Sequence, residues 1–119
     1  MDFTRQPLIV AQIETAAAVE AADTIANVAG IDVLFVGPAD LQRDLDAQPS
    51  NLRPDFETCV ERVAAVARAA GKAAGILVRD PAEVLVRRRQ GFTVIAVQSD
   101  LALLRDAFVT TIKKIRPRS

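Results

Sequence analysis

The 119-residue sequence has no histidine, tryptophan or tyrosine, and its only cysteine is Cys59. Without histidine, these residues cannot offer an imidazole as a general base, as the activator of a nucleophile or as a metal ligand. A single cysteine forms no internal disulfide, so nothing indicates an oxidising compartment. Any chemistry within the sequence therefore depends on carboxylates, hydroxyls, amides, lysine or arginine.

Neither sign of charge is in excess, because 15 Lys and Arg residues balance 15 Asp and Glu residues. A neutral chain lacks the positive charge that nucleic acids and anionic membrane surfaces attract, and we expect neither as a partner. The sequence also has no run of about 20 apolar residues that would span a membrane. Residues 1–6 lack the pattern of a secretory signal, and the cytoplasm is the default expectation.

The sequence does contain a regular alternation of short apolar segments with longer amphipathic ones. Apolar, β-branched segments over residues 8–14, 31–36, 73–78 and 92–97 are each followed by apolar residues at helical spacing. Strands that alternate with helices predict an α/β fold with a parallel sheet. Four such βα units form either a small open sheet or half of an eight-unit barrel.

The domain organisation follows from this alternation. We expect one domain over residues 8–115, a lead over residues 1–7 and a tail over residues 116–119. A short helical turn is expected near Pro38, followed by a polar loop over residues 42–53, and Pro54 suits the first position of the next helix. The last helix is expected to carry an apolar stripe at Leu101, Leu104, Phe108, Ile112 and Ile115.

Several conspicuous residues are expected to have structural roles. Cys59 lies near an apolar helical stripe and is interpreted as a buried small hydrophobe. Arg87-Arg88-Arg89 is interpreted as a solvated run at a helix end, where cations are favoured, with a phosphate or subunit contact as the alternative. Asp80 and Ser99 are interpreted as helix caps, with Arg79 as a surface partner.

Functional groups in parallel α/β folds collect where the strands end, because the loops after the strands converge there. Glu14 and Asp40 follow adjacent strands, so their carboxylates can approach each other. Two carboxylates together with water suit Mg²⁺ or Mn²⁺. Helix capping and salt bridges are the structural alternatives for the same two residues.

The segment Gly37-Pro38-Ala39-Asp40 combines a flexible glycine with a proline that favours the start of a helix. In that case the backbone amides of Ala39 and Asp40 point outward at the positive end of the helix dipole. A carboxylate or a phosphate can bind at such a position. The alternative is a simple turn from a strand into a helix.

The sequence contains six short motifs in a fixed order. They are Gln12-Ile13-Glu14-Thr15, Gly30-Ile31-Asp32, Phe35-Val36-Gly37-Pro38-Ala39-Asp40-Leu41, Ala70-Gly71-Lys72-Ala73, Gly75-Ile76-Leu77 and Val97-Gln98-Ser99-Asp100-Leu101. In this combination the sequence resembles the HpcH/HpaI aldolase family. These are class II, metal-dependent pyruvate aldolases, typified by 4-hydroxy-2-oxoheptanedioate and 2-keto-3-deoxy sugar-acid aldolases. The family fold is a (β/α)₈ TIM barrel, and the match implies that residues 8–115 correspond to its second half.

The resemblance also implies roles for individual residues. Glu14 and Asp40 would hold a divalent metal, which would be Mg²⁺, Mn²⁺ or Co²⁺, and Gln12 would contact a pyruvate-like 2-oxo acid. The amides of Ala39 and Asp40 would hold the carboxylate of that acid, and Leu77 would line the pocket near the aldehyde. The metal would stabilise the enolate that forms as the carbon–carbon bond breaks. No residue of this sequence is assigned as the catalytic base.

The sequence departs from the family pattern in ways that affect these expectations. It lacks the first half of the barrel, which carries the family's catalytic histidine and the arginine that clamps pyruvate. Gln42-Arg43-Asp44-Leu45-Asp46 stands where the family usually has a serine and later a glycine, and Gln98 stands where a glycine is usual. We therefore expect a truncated aldolase that is inactive as an isolated chain, or alternatively a non-catalytic assembly module that keeps the fold. The exposed strand edges of a half barrel predict self-association, most simply as a two-fold dimer.

Overall fold

The computed structural model describes residues 6–116, so most of the lead and of the tail expected from the sequence lies outside the described residues. Within this range the elements follow one another in the order β1 (Val10–Ile13), α1 (Ala16–Glu20), α2 (Ala22–Ala26), β2 (Val33–Val36), α3 (Pro38–Ala47), α4 (Phe56–Ala69), β3 (Ala73–Val78), α5 (Glu83–Arg89), β4 (Val94–Val97) and α6 (Asp100–Ile115).

The four strands form a single parallel sheet whose spatial order is the chain order, β1-β2-β3-β4. The register pairs Gln12 with Phe35, and Phe35 with Gly75, so these three residues form a row across one face of the sheet. Each strand is followed by at least one helix before the next strand begins. This arrangement confirms the predicted α/β fold of four βα units, as in half of a (β/α)₈ barrel.

The hydrophobic core lies on the other face of the sheet. Alternate residues of β1, β2 and β3 are buried there, together with the inner side of α4, and the fully buried members include Ile13, Leu34, Val36, Ile76, Val60, Val63 and Ala67. Complete burial of one such aliphatic side chain contributes roughly 1.5–3 kcal/mol. Cys59 belongs to this core, as predicted, and its burial raises the pKa of the thiol.

The face that carries Gln12, Phe35 and Leu77 has much less cover than the core face. Gln12 is exposed, and Phe35 and Leu77 are only half-buried. The molecule is accordingly flat, with extents of 59 × 54 × 24 Å and a radius of gyration of 17.7 Å. A compact chain of this length would have a radius of gyration of about 13.5 Å. The shape is that of an opened half barrel.

The polar segment after Pro38 forms a longer helix than the sequence suggested. The loop predicted over residues 42–53 is wrong for its first half, because α3 continues to Ala47. Leu41 and Leu45 lie one helical turn apart and are both fully buried, which fixes this helix against the core. The next helix begins at Phe56 and not at Pro54, since the Asp55 carboxylate accepts a hydrogen bond from the Thr58 amide at 2.9 Å.

Helix α6 begins as predicted but does not bury its apolar stripe. The Ser99 hydroxyl accepts a hydrogen bond from the Ala102 amide at 3.2 Å and caps the helix. None of the residues 100–115 is buried within the described chain. Leu101, Phe108 and Ile115 are 74%, 60% and 72% exposed, respectively. Periodicity thus identified the helix, while its apolar stripe faces solvent.

The arginine run in α5 is only partly solvated. Arg88 and Arg89 are exposed, as predicted, but Arg87 is buried, which corrects the expectation for the whole run. The guanidinium of Arg87 donates hydrogen bonds of 2.6 and 2.9 Å to the two carboxylate oxygens of Glu57 on α4. These bonds raise the pKa of Arg87 and lower the pKa of Glu57. The sequence could not indicate this pair, because its members lie 30 residues apart.

Replacing Gly75 by Ala should destabilise the fold by about 1–3 kcal/mol, because overpacking forces neighbouring side chains out of place. A Cβ on Gly75 would overlap the ring of Phe35 and lie 3.1 Å from Val33 Cγ1. Urea unfolding measures the loss. Adding Phe35→Val should relieve part of it, so that the double variant is more stable than the sum of the two single changes predicts. Strictly additive effects would contradict the proposed overlap.

Replacing Glu57 by Gln should lower the free energy of unfolding by about 1–2 kcal/mol at neutral pH, because buried Arg87 then loses its counter-charge. Arg87 lowers the pKa of Glu57 below its ordinary value of 4.5. The ion pair therefore contributes its full stability at pH values above 4.5, and this contribution is lost as the pH falls through the pKa of Glu57 in the folded state. The stability difference between wild type and variant should therefore shrink on acidification, as measured by urea unfolding at several pH values. Glu61→Gln, at an exposed position of the same helix, is the matched control. A difference that does not change with pH would contradict this assignment.

Candidate functional site

The carboxyl ends of β1 and β2 bring three of the singled-out residues together. Glu14 follows the last residue of β1, and Gly37 joins β2 to α3. A Cβ on Gly37 would lie 3.2 Å from Glu14 Oε2 and 3.4 Å from Gln12 Nε2. The Gln12 and Glu14 side chains therefore lie against the Gly37 backbone, in space that the absence of a side chain leaves open.

Asp40 lies in the first turn of α3, three residues after this glycine, and its side chain is 52% exposed. Its Oδ1 accepts a hydrogen bond from Arg43 Nη1 at 2.9 Å. Arg43 was not predicted as a partner of Asp40. The spacing of three residues on a helix was the signal that could have identified this pair.

The amino end of α3 is held in place but has no side-chain cap. Pro38 opens the helix, and no side chain caps its Gly37 N-cap position. Ala39 and Asp40 are both exposed and lie in the first turn of α3, at the positively polarised end of the helix. Asp44 on the same helix accepts a hydrogen bond from the Ala16 amide at 2.8 Å, which ties α3 to the segment after Glu14.

Leu77, near the end of β3, lines two neighbouring clefts along this edge of the sheet. The first has a volume of about 460 Å³ and lies between α3 and α5, with Ala39 and Arg79 also in its walls. The second has a volume of about 500 Å³ and lies between the end of β3 and α6, where Gln98 joins its lining. Leu77 and Arg79 belong to both clefts. The structure therefore places Ala39 and Leu77 in one common cleft.

Asp80 and Gln98 lie just after the other two strands, β3 and β4. Asp80 was predicted to cap α5, but the N-cap of that helix is Ala82 and no side chain caps it. The Asp80 Oδ1 instead accepts a hydrogen bond from the Ala82 amide at 2.9 Å and closes the turn that precedes the helix. Gln98 has a φ of +60°, a left-handed conformation that glycine adopts readily and other residues adopt at a cost of roughly 1 kcal/mol. Its amide donates a 2.8 Å hydrogen bond to the Val78 carbonyl, which fixes this turn.

Few side chains at this edge of the sheet could bind a metal ion. Among residues 6–116, no group of three or more acidic, cysteine or histidine side chains is close enough to form a metal site alone. The Glu14 carboxylate lies against Gly37, whereas the Asp40 carboxylate is paired with Arg43, so water or a ligand would have to complete the coordination of any cation held by these two residues. In the same range, no helix is both long and apolar enough to cross a membrane.

Comparison with known proteins identifies relatives over nearly the whole chain. The model of the HpcH/HpaI aldolase/citrate lyase family matches residues 4–107. A hydroxypyruvate/pyruvate aldolase from Chromohalobacter salexigens is 36% identical over 110 residues, which cover 91% of this chain and 42% of that protein. A 5-keto-4-deoxy-D-glucarate aldolase from Salmonella paratyphi C is 39% identical over 99 residues, which cover 82% of this chain and 38% of that protein. The chain therefore spans about 40% of the length of these relatives.

Solved structures give the same result. An HpcH/HpaI aldolase/citrate lyase family protein from Burkholderia cenocepacia J2315 superposes with a TM-score of 0.80 at 36% identity, covering 93% of this chain and 43% of that one. An HpcH/HpaI aldolase from Desulfitobacterium hafniense DCB-2 superposes with a TM-score of 0.82 at 30% identity and covers 94% of this chain. Sequence and fold agree, and the chain belongs to the HpcH/HpaI aldolase/citrate lyase family.

Proposed function

We propose that this chain contributes the second half of the active site of a carbon–carbon lyase that cleaves 2-oxo-acid aldols to pyruvate and an aldehyde. The similarity to a hydroxypyruvate/pyruvate aldolase and to a 5-keto-4-deoxy-D-glucarate aldolase supports this reaction class. The observation that carries the proposal is the packing of Gln12 and Glu14 against Gly37, one helical turn from Asp40. These residues match the family motif at the place where parallel α/β folds carry out their chemistry.

We assign Glu14 and Asp40 as ligands of a divalent cation, which is Mg²⁺, Mn²⁺ or Co²⁺. The donor set fits Mg²⁺ in particular, since this ion uses one or two carboxylates and retains several waters. Arg43 now pairs with Asp40, but both side chains of this pair are largely exposed, at 79% and 52%. Such a pair is worth about 0–1 kcal/mol, so a divalent cation can displace it. When bound, the cation supplies Lewis-acid stabilisation of the negative charge on an enolate.

The remaining residues bind and orient the substrate. Gln12 lies beside Glu14 with an amide that can hydrogen-bond the 2-oxo acid. The amides of Ala39 and Asp40 lie at the uncapped amino end of α3, where a carboxylate is stabilised. Leu77 lines the adjoining cleft and shields one side of the position expected for the aldehyde.

A non-catalytic assembly module is the second candidate function. The absence of histidine from the sequence favours it, because none of these residues can supply an imidazole base for the aldol hydroxyl proton. Both candidates retain the fold and the pair of carboxylates. They differ in whether the chain, with a cation and pyruvate, removes a proton from the methyl group of pyruvate.

Exchange of the pyruvate methyl protons with D₂O, followed by NMR with Mg²⁺ or Mn²⁺, tests the lyase proposal. Aldol cleavage is expected to need the half of the barrel that this chain does not contain, but a cation bound here would promote the exchange step with water as the proton acceptor. We therefore expect slow, metal-dependent exchange that falls at least tenfold in Glu14→Gln, because the variant loses a carboxylate ligand. Binding of Mn²⁺, measured by electron paramagnetic resonance, should weaken in the same variant. Glu61→Gln, at an exposed position on α4, should change neither result. Unaltered Mn²⁺ binding without exchange in the wild type would favour the non-catalytic module.

We also propose that the chain self-associates, most simply as a homodimer. The apolar side chains of α6 support this, since Leu104, Phe108 and Ile112 are at least half exposed and exposed apolar patches commonly mark interaction surfaces. Light scattering over a range of concentrations should give a mass of about twice the 12.8 kDa monomer. Phe108→Ser should shift this equilibrium toward monomer, whereas Leu52→Ser, at an equally exposed loop position, should leave it unchanged. A concentration-independent monomer would contradict the proposal.

A further inference from the structure

The cleft between α3 and α5 has an unusual concentration of arginine side chains. Arg43 from α3, Arg79 from the end of β3 and Arg87 from α5 all line it, and Glu83 is the acidic residue in its wall. These three arginines line a cavity of about 460 Å³ whose accessible lining is mostly apolar. Each guanidinium carries five N–H donors and no acceptor, so the charged groups of these arginines can offer a ligand only hydrogen-bond donors.

The acidic groups around the cleft are already engaged with other partners. Glu83 Oε1 accepts a hydrogen bond from the Asp80 amide at 3.3 Å, and Glu83 Oε2 lies 3.7 Å from Arg87 Nη2. Arg87 is held by Glu57, and Arg43 is paired with Asp40. The donors that remain available are those of Arg79 and the unused N–H groups of Arg43. A ligand that fits here must supply acceptor oxygens.

Arg79 stands apart from the other two arginines. Within residues 6–116 its side chain forms no ion pair and no hydrogen bond, and it is exposed at the border between the two clefts. The buried Nε of Arg87, in the same cleft wall, also has no hydrogen-bond partner in the described chain. A surface arginine needs no partner, but one that lines a cavity together with two further arginines is placed to bind an anion bidentately.

The position of the cleft gives this anion a role in the reaction. Ala39 and Leu77, the residues assigned to the pyruvate carboxylate and to the aldehyde, line the same cavity. We infer that Arg79 is a specificity-determining residue that binds an anionic group, a carboxylate or a phosphate, at the far end of the aldehyde. This inference rests on the proposed lyase function, and it predicts that acidic aldehydes are preferred over neutral ones of the same size.

Anion binding can be measured without turnover. The ¹⁵N-labelled chain is titrated with succinate and, separately, with inorganic phosphate at constant ionic strength, and chemical shifts of the Arg79 Nε–Hε group and of the backbone amides near Leu77 are followed by NMR. We expect saturable shifts confined to these groups. The anion that binds more tightly distinguishes a carboxylate from a phosphate preference.

Variants of Arg79 and of a control arginine test whether Arg79 binds the anion. Arg79→Met should weaken binding at least tenfold, because a charge-assisted bidentate contact is lost. Arg79→Lys should restore part of the affinity, since it keeps the charge without the planar fork. Arg89→Met, at an exposed position outside both clefts, should change the affinity less than twofold. Equal losses in Arg79→Met and Arg89→Met, or shifts that never saturate, would overturn the inference.

The experiments distinguish a failure of the lyase proposal from a failure of the Arg79 assignment. If pyruvate exchanges its methyl protons but neither anion binds through Arg79, the lyase function stands and the assignment of Arg79 is wrong. If an anion binds through Arg79 but no exchange occurs, the anion site exists and its role in recognising an aldehyde is rejected. If both results are positive, initial rates of aldol formation with glyoxylate and with glycolaldehyde should show that Arg79→Met raises the KM for the acidic acceptor alone.

Discussion

The burial of one face of the parallel sheet under α4 is the interaction on which the rest of the structure depends. Ile13, Leu34 and Ile76, from three successive strands, are each at most 1% exposed in this core. Because the strands are parallel and in fixed register, their carboxyl ends lie along one edge. The segments that begin with Glu14 and Gly37 therefore emerge side by side, although they are separated by 23 positions in the sequence. The core thus positions the site without contributing to its chemistry.

On the opposite face of the sheet, the sizes of neighbouring side chains must match. Its central row, Gln12, Phe35 and Gly75, combines a polar group, a large ring and a residue without a side chain. The ring of Phe35 occupies the space that a Cβ on Gly75 would need, so the two residues are matched in size across the strands. This face is only partly covered, and the clefts at its edge remain open to water. Ion pairs there are screened and weak, which leaves Asp40 able to exchange partners.

Local sequence patterns predicted the parts of the fold that depend on local forces. Apolar β-branched segments marked all four strands, and the bounds predicted for β3 are those observed. Ser99 marked the start of α6 because its hydroxyl caps the first turn. The polar composition after Pro38 suggested a loop, yet two leucines four residues apart were enough to extend α3. Composition was misleading here, because the buried side of a short helix requires few apolar residues.

Features that depend on distant contacts could not be read in the same way. The burial of Arg87 follows from Glu57, on a different helix, and a run of three arginines gives no indication of which one turns inward. Whether the apolar stripe of α6 is buried depends on what packs against it, and no local pattern specifies that. The residues proposed for the site were chosen because they resemble a family motif. Periodicity and spacing alone left Glu14 and Asp40 open to structural roles.

Arg43 connects the two parts of the proposed site. It stands in a segment that departs from the usual family pattern, its guanidinium pairs with Asp40, and the same side chain lines the cleft beside Arg79. If Asp40 held a cation as proposed, its carboxylate would no longer neutralise Arg43. The guanidinium would then be available in the cleft that it lines, as a second cation next to Arg79. Binding of a metal and binding of an anionic aldehyde would thus favour each other through one displaced ion pair, and linkage requires the effect to be reciprocal.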